Sequence, residues 1–173
     1  VAHRRYEFPD GSLYDILVSS GETDGSRSEM QVTLPPNPMT PPPHFHPAQE
    51  ETVTVLDGML EVLTGRTWTQ LVTGQSATIP PGTVHTFRNR SGENVAFRMA
   101  HTPALAFERY VERLYWLSAM NRIRGSRDLT SLLYNSLLLD THRQEQVLAG
   151  PGARAAVRTM AQVARLLRLR VDR

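Results

Sequence analysis

A chain of 173 residues suits one domain with an appendage and can bury a core without covalent staples. It has no cysteine and all 19 basic residues are arginine, which excludes disulfides, thiolate metal sites, iron–sulfur clusters, cysteine nucleophiles, Schiff-base lysines and the lysine of a phosphate-cradling P-loop. A formal net charge of +2, with 40% hydrophobic and 21% charged residues, describes a globular chain that needs no polyanionic partner, and no apolar run approaches the roughly 20 residues of a membrane span.

Residues 1–103 are punctuated by glycine, proline and Asx turns and predict short strands. Turn pairs at Asp24-Gly25, Asp57-Gly58, Gly65-Arg66 and Ser91-Gly92 separate β-branched runs, and the middle two read as two-residue hairpin loops of the primed type. Such spacing predicts a sandwich or barrel. With Asp57-Gly58 as a hairpin, Leu56 pairs with Met59, and Glu51, Val53, Val55, Leu60, Val62 and Thr64 share the inward face. Thr52, Thr54 and Glu61 fall on the other side. Further on, His85, Phe87 and Asn89 share a face, and Val95, Phe97, Met99 and His101 form a second inward series.

Residues 104–173 are broken only by Gly125, Gly150, Pro151 and Gly152 and predict helices. Leu105, Phe107, Tyr110, Val111, Leu114 and Leu117 repeat at helical spacing. A second helix is expected from the N-cap Asp128 to about Leu148. A third follows Gly152, with an apolar stripe of Ala153, Ala156, Val157, Met160, Ala164, Leu167 and Val171 opposite Arg154, Arg158, Arg165 and Arg168. That arginine face reads as solvated rather than as a surface for lipid or nucleic acid, so neither membrane nor nucleic acid is expected as a partner.

The chemistry concentrates in Pro43 to Glu51 and Gly74 to Asn89. Alternation puts His44 and His46 on one side of an extended segment, where two imidazoles can share a metal ion. Glu51 is already inward, and Pro81-Gly82 fits a type II turn launching the strand of His85. Three imidazoles and a carboxylate then converge. Glu50 competes for the carboxylate position; the register sends it outward and favours Glu51.

These segments resemble the two motifs of the cupin superfamily. His44-x-His46, Glu51 and Gly58 match the first at its family spacing, except that its leading glycine is Pro38 here. Gly74, Pro80, Gly82, His85 and Asn89 match the second in full, with 15 residues between Gly58 and Gly74. The resemblance covers about 60% of the chain and implies a mainly β fold, a double-stranded β-helix or jelly-roll barrel over 1–103, with a helical extension over 104–173 packing on it. It also implies that His44, His46, Glu51 and His85 ligate one divalent metal ion.

Four such ligands leave two adjacent octahedral positions for water, oxygen or substrate, and iron, manganese, nickel and zinc all suit the set. Val53, Val55, Val62, Phe87, Phe97 and Met99 enclose the cup and favour an apolar or aromatic small-molecule substrate. His101 either lines the cavity as an acid or base or sits at the strand end bonded to backbone before Pro103. The expected function is a metal-dependent enzyme of iron(II) dioxygenase type. The alternatives are a non-redox isomerase, cyclase or lyase of bacterial secondary metabolism, and a non-catalytic small-ligand-binding module. With no secretion signal at the start, a cytoplasmic location is expected, and exposed strand edges allow barrels to pair as a homodimer.

Overall fold

The computed structural model describes residues 4–124 and 128–172; Gly125, read above as a breaker, lies outside them. Period-two burial along the first half builds two antiparallel sheets. β1 (Arg5–Glu7), β2 (Leu13–Val18), β3 (Ser28–Leu34), β5 (Glu50–Asp57), β8 (Ser76–Ile79) and β10 (Val95–Thr102) form one, in the order β1-β2-β3-β10-β5-β8. β4 (His44–Phe45), β6 (Met59–Thr64), β7 (Thr67–Val72), β9 (His85–Arg88) and β11 (Val147–Leu148) form the other, in the order β11-β4-β9-β6-β7. The sheets stack as a mainly β jelly roll. Met30, Val32, Val53 and Val55 from one meet Leu60, Val62 and Phe87 from the other in one buried core. Phe87 joins the two sheets edge-on to Phe97, with ring centroids 5.2 Å apart.

Asp57-Gly58 does not close a hairpin. β5 pairs with β10 and β8, whereas β6 pairs with β7 and β9, so Leu56 and Met59 are not partners and the chain changes sheets at this corner. Glu51, Val53, Val55, Leu60 and Val62 still point inward, because alternation is a property of each strand rather than of the turn joining them. Gly65-Arg66 does close a two-residue hairpin, Thr64 facing Thr67, with positive φ at Gly65.

Three helices follow: α1 (Phe107–Ala119), α2 (Leu129–Thr141) and α3 (Pro151–Leu166). Leu105 has φ 47° and precedes α1 rather than belonging to it. Asp128 caps α2 by accepting from Ser131 N at 2.8 Å. The second helix stops at Thr141 instead of reaching Leu148, and Val147 and Leu148 return to the barrel to pair with Phe45 and His44. The pairing engages one edge of β4, whose backbone groups need partners. On α3, Ala161 and Ala164 are buried while Ala156 is exposed; Leu167, also exposed, and Val171 lie past the helix end. The contact stripe is therefore rotated from the expected one toward Ala161. Among the described residues, no helix is long and apolar enough to cross a membrane.

Tyr110 of α1 is buried, and desolvation outweighs a hydrogen bond with Gln146 to push its phenol up to about 12. Stability drawn from a neutral phenol is whole below the ordinary value of 10.0 and is lost as pH rises from there through about 12. Alkaline unfolding is expected in that window, with phenolate absorbance and loss of circular dichroism rising together. Phenolate forming on an intact fold would contradict it.

Candidate metal centre

Three strands deliver the centre. β4 carries His44 and leads into His46, β5 carries Glu51, and β9 carries His85 directly across from His44. The strand is launched as expected: Gly82 has φ 77° and Thr83 N donates to Pro80 O at 3.2 Å, while Gly82 N donates to His46 O at 2.8 Å and ties the turn to the other ligand segment. His44, His46, Glu51 and His85 are 3%, 2%, 1% and 1% exposed, and one ligand atom from each lies within 4.8 Å of all the others. Glu50 is exposed.

The imidazoles are oriented by backbone. His44 Nδ1 donates to Pro42 O and His85 Nδ1 to Thr83 O, each at 2.9 Å, and His46 Nδ1 donates to Glu145 O. With Nδ1–H committed to a carbonyl, Nε2 carries the lone pair of each neutral ring. Glu51 Oε2 nonetheless sits 2.9 Å from His46 Nε2 and 2.8 Å from His85 Nε2. Lone pairs facing a carboxylate oxygen at that range require positive charge between them, as a second ring proton or as a metal ion. Among the described residues, Glu51 Oε1 and His85 Nε2 have no hydrogen-bond partner despite full burial. Nitrogen and carboxylate donors converging in this way fit a divalent first-row ion.

The electrostatics agree. Burial, then the proximity of His85 and His46, presses His44 down to about 3 and keeps it neutral. Burial opposes the charge on Glu51, but the His46 and His85 contacts outweigh it and hold the carboxyl well below its usual range. Burial likewise opposes protonation of His85, and Glu51 reverses that and raises it. A carboxylate kept ionised among basic nitrogens could hold a cation.

Residues 30–101 match the family model of the cupin domain. The barrel is a cupin. Among solved structures, a sugar phosphate isomerase of the cupin superfamily from Silicibacter pomeroyi superposes with TM-score 0.51 at 23% identity, over 58% of this chain and 71% of that one. An RmlC-like cupin from Shewanella frigidimarina superposes with TM-score 0.52 at 14% identity, over 62% and 89%. At these identities the likeness is one of fold. No curated protein matches the sequence significantly.

In the cupin barrel His101 lies opposite Glu51 in the β10–β5 register, fully buried, with Nε2 3.9 Å from Oε2. Neither ring nitrogen has a hydrogen-bond partner among the described residues, and the backbone-bonded alternative is not seen there. Its ring stacks on Phe107 at 3.6 Å between centroids, and Phe107 also meets His46 edge-on. Burial pushes His101 down to about 3.

Val53, Val55, Val62, Phe87, Phe97 and Met99 are all buried in the barrel core. Asn89 is structural: its Nδ2 donates to the carbonyls of Leu34, Pro35 and Glu93. Three participants escape sequence reasoning. Phe107 reads only as one position of a helix stripe, Gln49 clamps the barrel exit by donating to Pro103 O and Ala104 O at 3.0 and 2.9 Å, and Glu145 reaches His46 from 99 residues away. No local pattern distinguishes any of them.

Proposed function

We propose that this chain is a metal-dependent cupin enzyme acting on an apolar or aromatic small molecule, with iron(II)-type oxygenase chemistry as its reaction. The convergence of His44, His46, Glu51 and His85 inside an apolar barrel carries the reading. His44, His46, Glu51 and His85 would hold a divalent ion, which would supply Lewis-acid polarisation or, as iron, redox chemistry with oxygen. The chain's own part is to hold the imidazoles in the Nδ1–H tautomer, to keep Glu51 ionised, and to exclude water with Phe107, Phe87 and Phe97. Every described arginine is exposed or half-buried. That favours an uncharged substrate over the phosphorylated one named for the Silicibacter isomerase.

A second reading, a non-redox isomerase, cyclase or lyase, draws on His101, whose ring nitrogens are free to move a proton opposite Glu51. Anaerobic loading with iron(II) or zinc, followed by oxygen uptake and product mass for phenolic and enolic compounds, separates the two. Oxygen uptake with iron alone is expected, and full turnover with zinc or without oxygen would favour the second. In the second case His101→Gln should slow turnover by about 10²–10⁴ while metal affinity holds. Tight ligand binding with no turnover under either metal would leave only a binding module.

A further inference from the structure

His44 and His85 each find their Nδ1 acceptor two residues upstream, in the segment just before the strand that carries them. His46 does not. Its acceptor is the carbonyl of Glu145, in the bend between α2 and β11. Several contacts fix that carbonyl. Glu145 N donates to His142 O at 3.0 Å, and Ala149 N donates to Pro43 O at 2.9 Å beside the β11–β4 pairing. The Glu145 side chain, 5% exposed, adds more: Oε1 accepts from Ala106 N at 3.2 Å, and Oε2 lies 3.4 Å from His142 Nδ1. On the far side of that ring, Arg113 donates to His142 Nε2 at 2.7 Å. A guanidinium can only donate, so Nε2 accepts, Nδ1 carries the ring proton, and that proton faces Glu145.

A nearly buried carboxylate costs several kcal/mol unless it is well satisfied, and one helix cap is a small return for it. What it holds in place is the acceptor of a ligand imidazole. Such outer partners fix ring orientation and raise ligand basicity. We propose that Glu145 is a positioning residue of the metal centre: clamped by Ala106 N and His142, it presents the carbonyl that orients His46, so the extension beyond the barrel sets metal affinity. The proposal rests on the metal reading above.

Cobalt(II) titration of the full chain, with imidazole N–H proton resonances recorded without metal, tests it. Glu145→Ala should weaken cobalt binding about 10–100-fold, alter the cobalt visible bands and remove the slowly exchanging His46 Nδ1–H signal, leaving those of His44 and His85. His142→Asn, which keeps a donor toward Glu145, should bind cobalt more tightly than His142→Leu; this pair decides the matter if Glu145→Ala does not fold. Cobalt affinity within twofold of the parent and an unchanged His46 signal in Glu145→Ala would overturn the proposal, as would equal affinities in the two His142 variants. If the parent takes up no cobalt, the metal reading fails, and the His46 signal in the metal-free variants still decides whether Glu145 orients that ring.

Discussion

Glu51→Gln should abolish tight metal binding while leaving the metal-free barrel at least as stable as the parent. Among the described residues the carboxylate is the centre's only acidic donor, and its loss should exceed the 10–100-fold effect of an outer partner. The fold should survive for a separate reason. Oε2 lies within 2.9 Å of His46 Nε2 and 2.8 Å of His85 Nε2, both acceptors in their neutral tautomers. An amide of the same shape can donate its two N–H groups to those lone pairs and removes the buried charge, while its oxygen stays as unpartnered as Oε1 is in the parent. Isothermal titration with cobalt(II) and thermal unfolding of metal-free protein provide the two readings. A variant that still binds within about tenfold would remove Glu51 from the centre.

Gly58→Ala should cost about 3 kcal/mol, and Gly74→Ala about 1 kcal/mol, although both glycines have left-handed backbones with φ of 82° and 86°. The difference is the surroundings. A Cβ on Gly58 would lie 2.9 Å from Asn94 O and 3.4 Å from Val95 Cα, whereas one on Gly74 would meet nothing within 4 Å. The atoms in the way at Gly58 are backbone at the start of β10, which cannot rotate aside as a side chain would. For a chain of this size the larger loss corresponds to a midpoint lower by about 6–12 °C. Urea unfolding of the two variants measures the gap, and equal losses would mean that the corner can relax.

That glycine also shows where local reasoning stops. Asp57-Gly58 has the residues of a hairpin loop, and a left-handed glycine serves equally well at a corner between sheets. Inward and outward positions do not depend on the kind of turn, because side-chain alternation needs only one extended strand. The helices divide in the same way. Asp128 is a local signal and was legible, whereas the stop at Thr141 depends on β4 offering an edge to Val147 and Leu148.

By itself the sequence determined the strand-rich first half and its inward faces, each through spacing within one strand or turn, while the resemblance to the two cupin motifs is what marked His44, His46, Glu51 and His85 as one set. Tertiary structure alone decided which strands pair, that Phe107 covers His101, and that Glu145 orients His46. Periodicity and turn chemistry are written over a few residues. The partner of a buried polar atom is chosen by the whole fold, because burial requires some acceptor but does not specify where in the chain it lies.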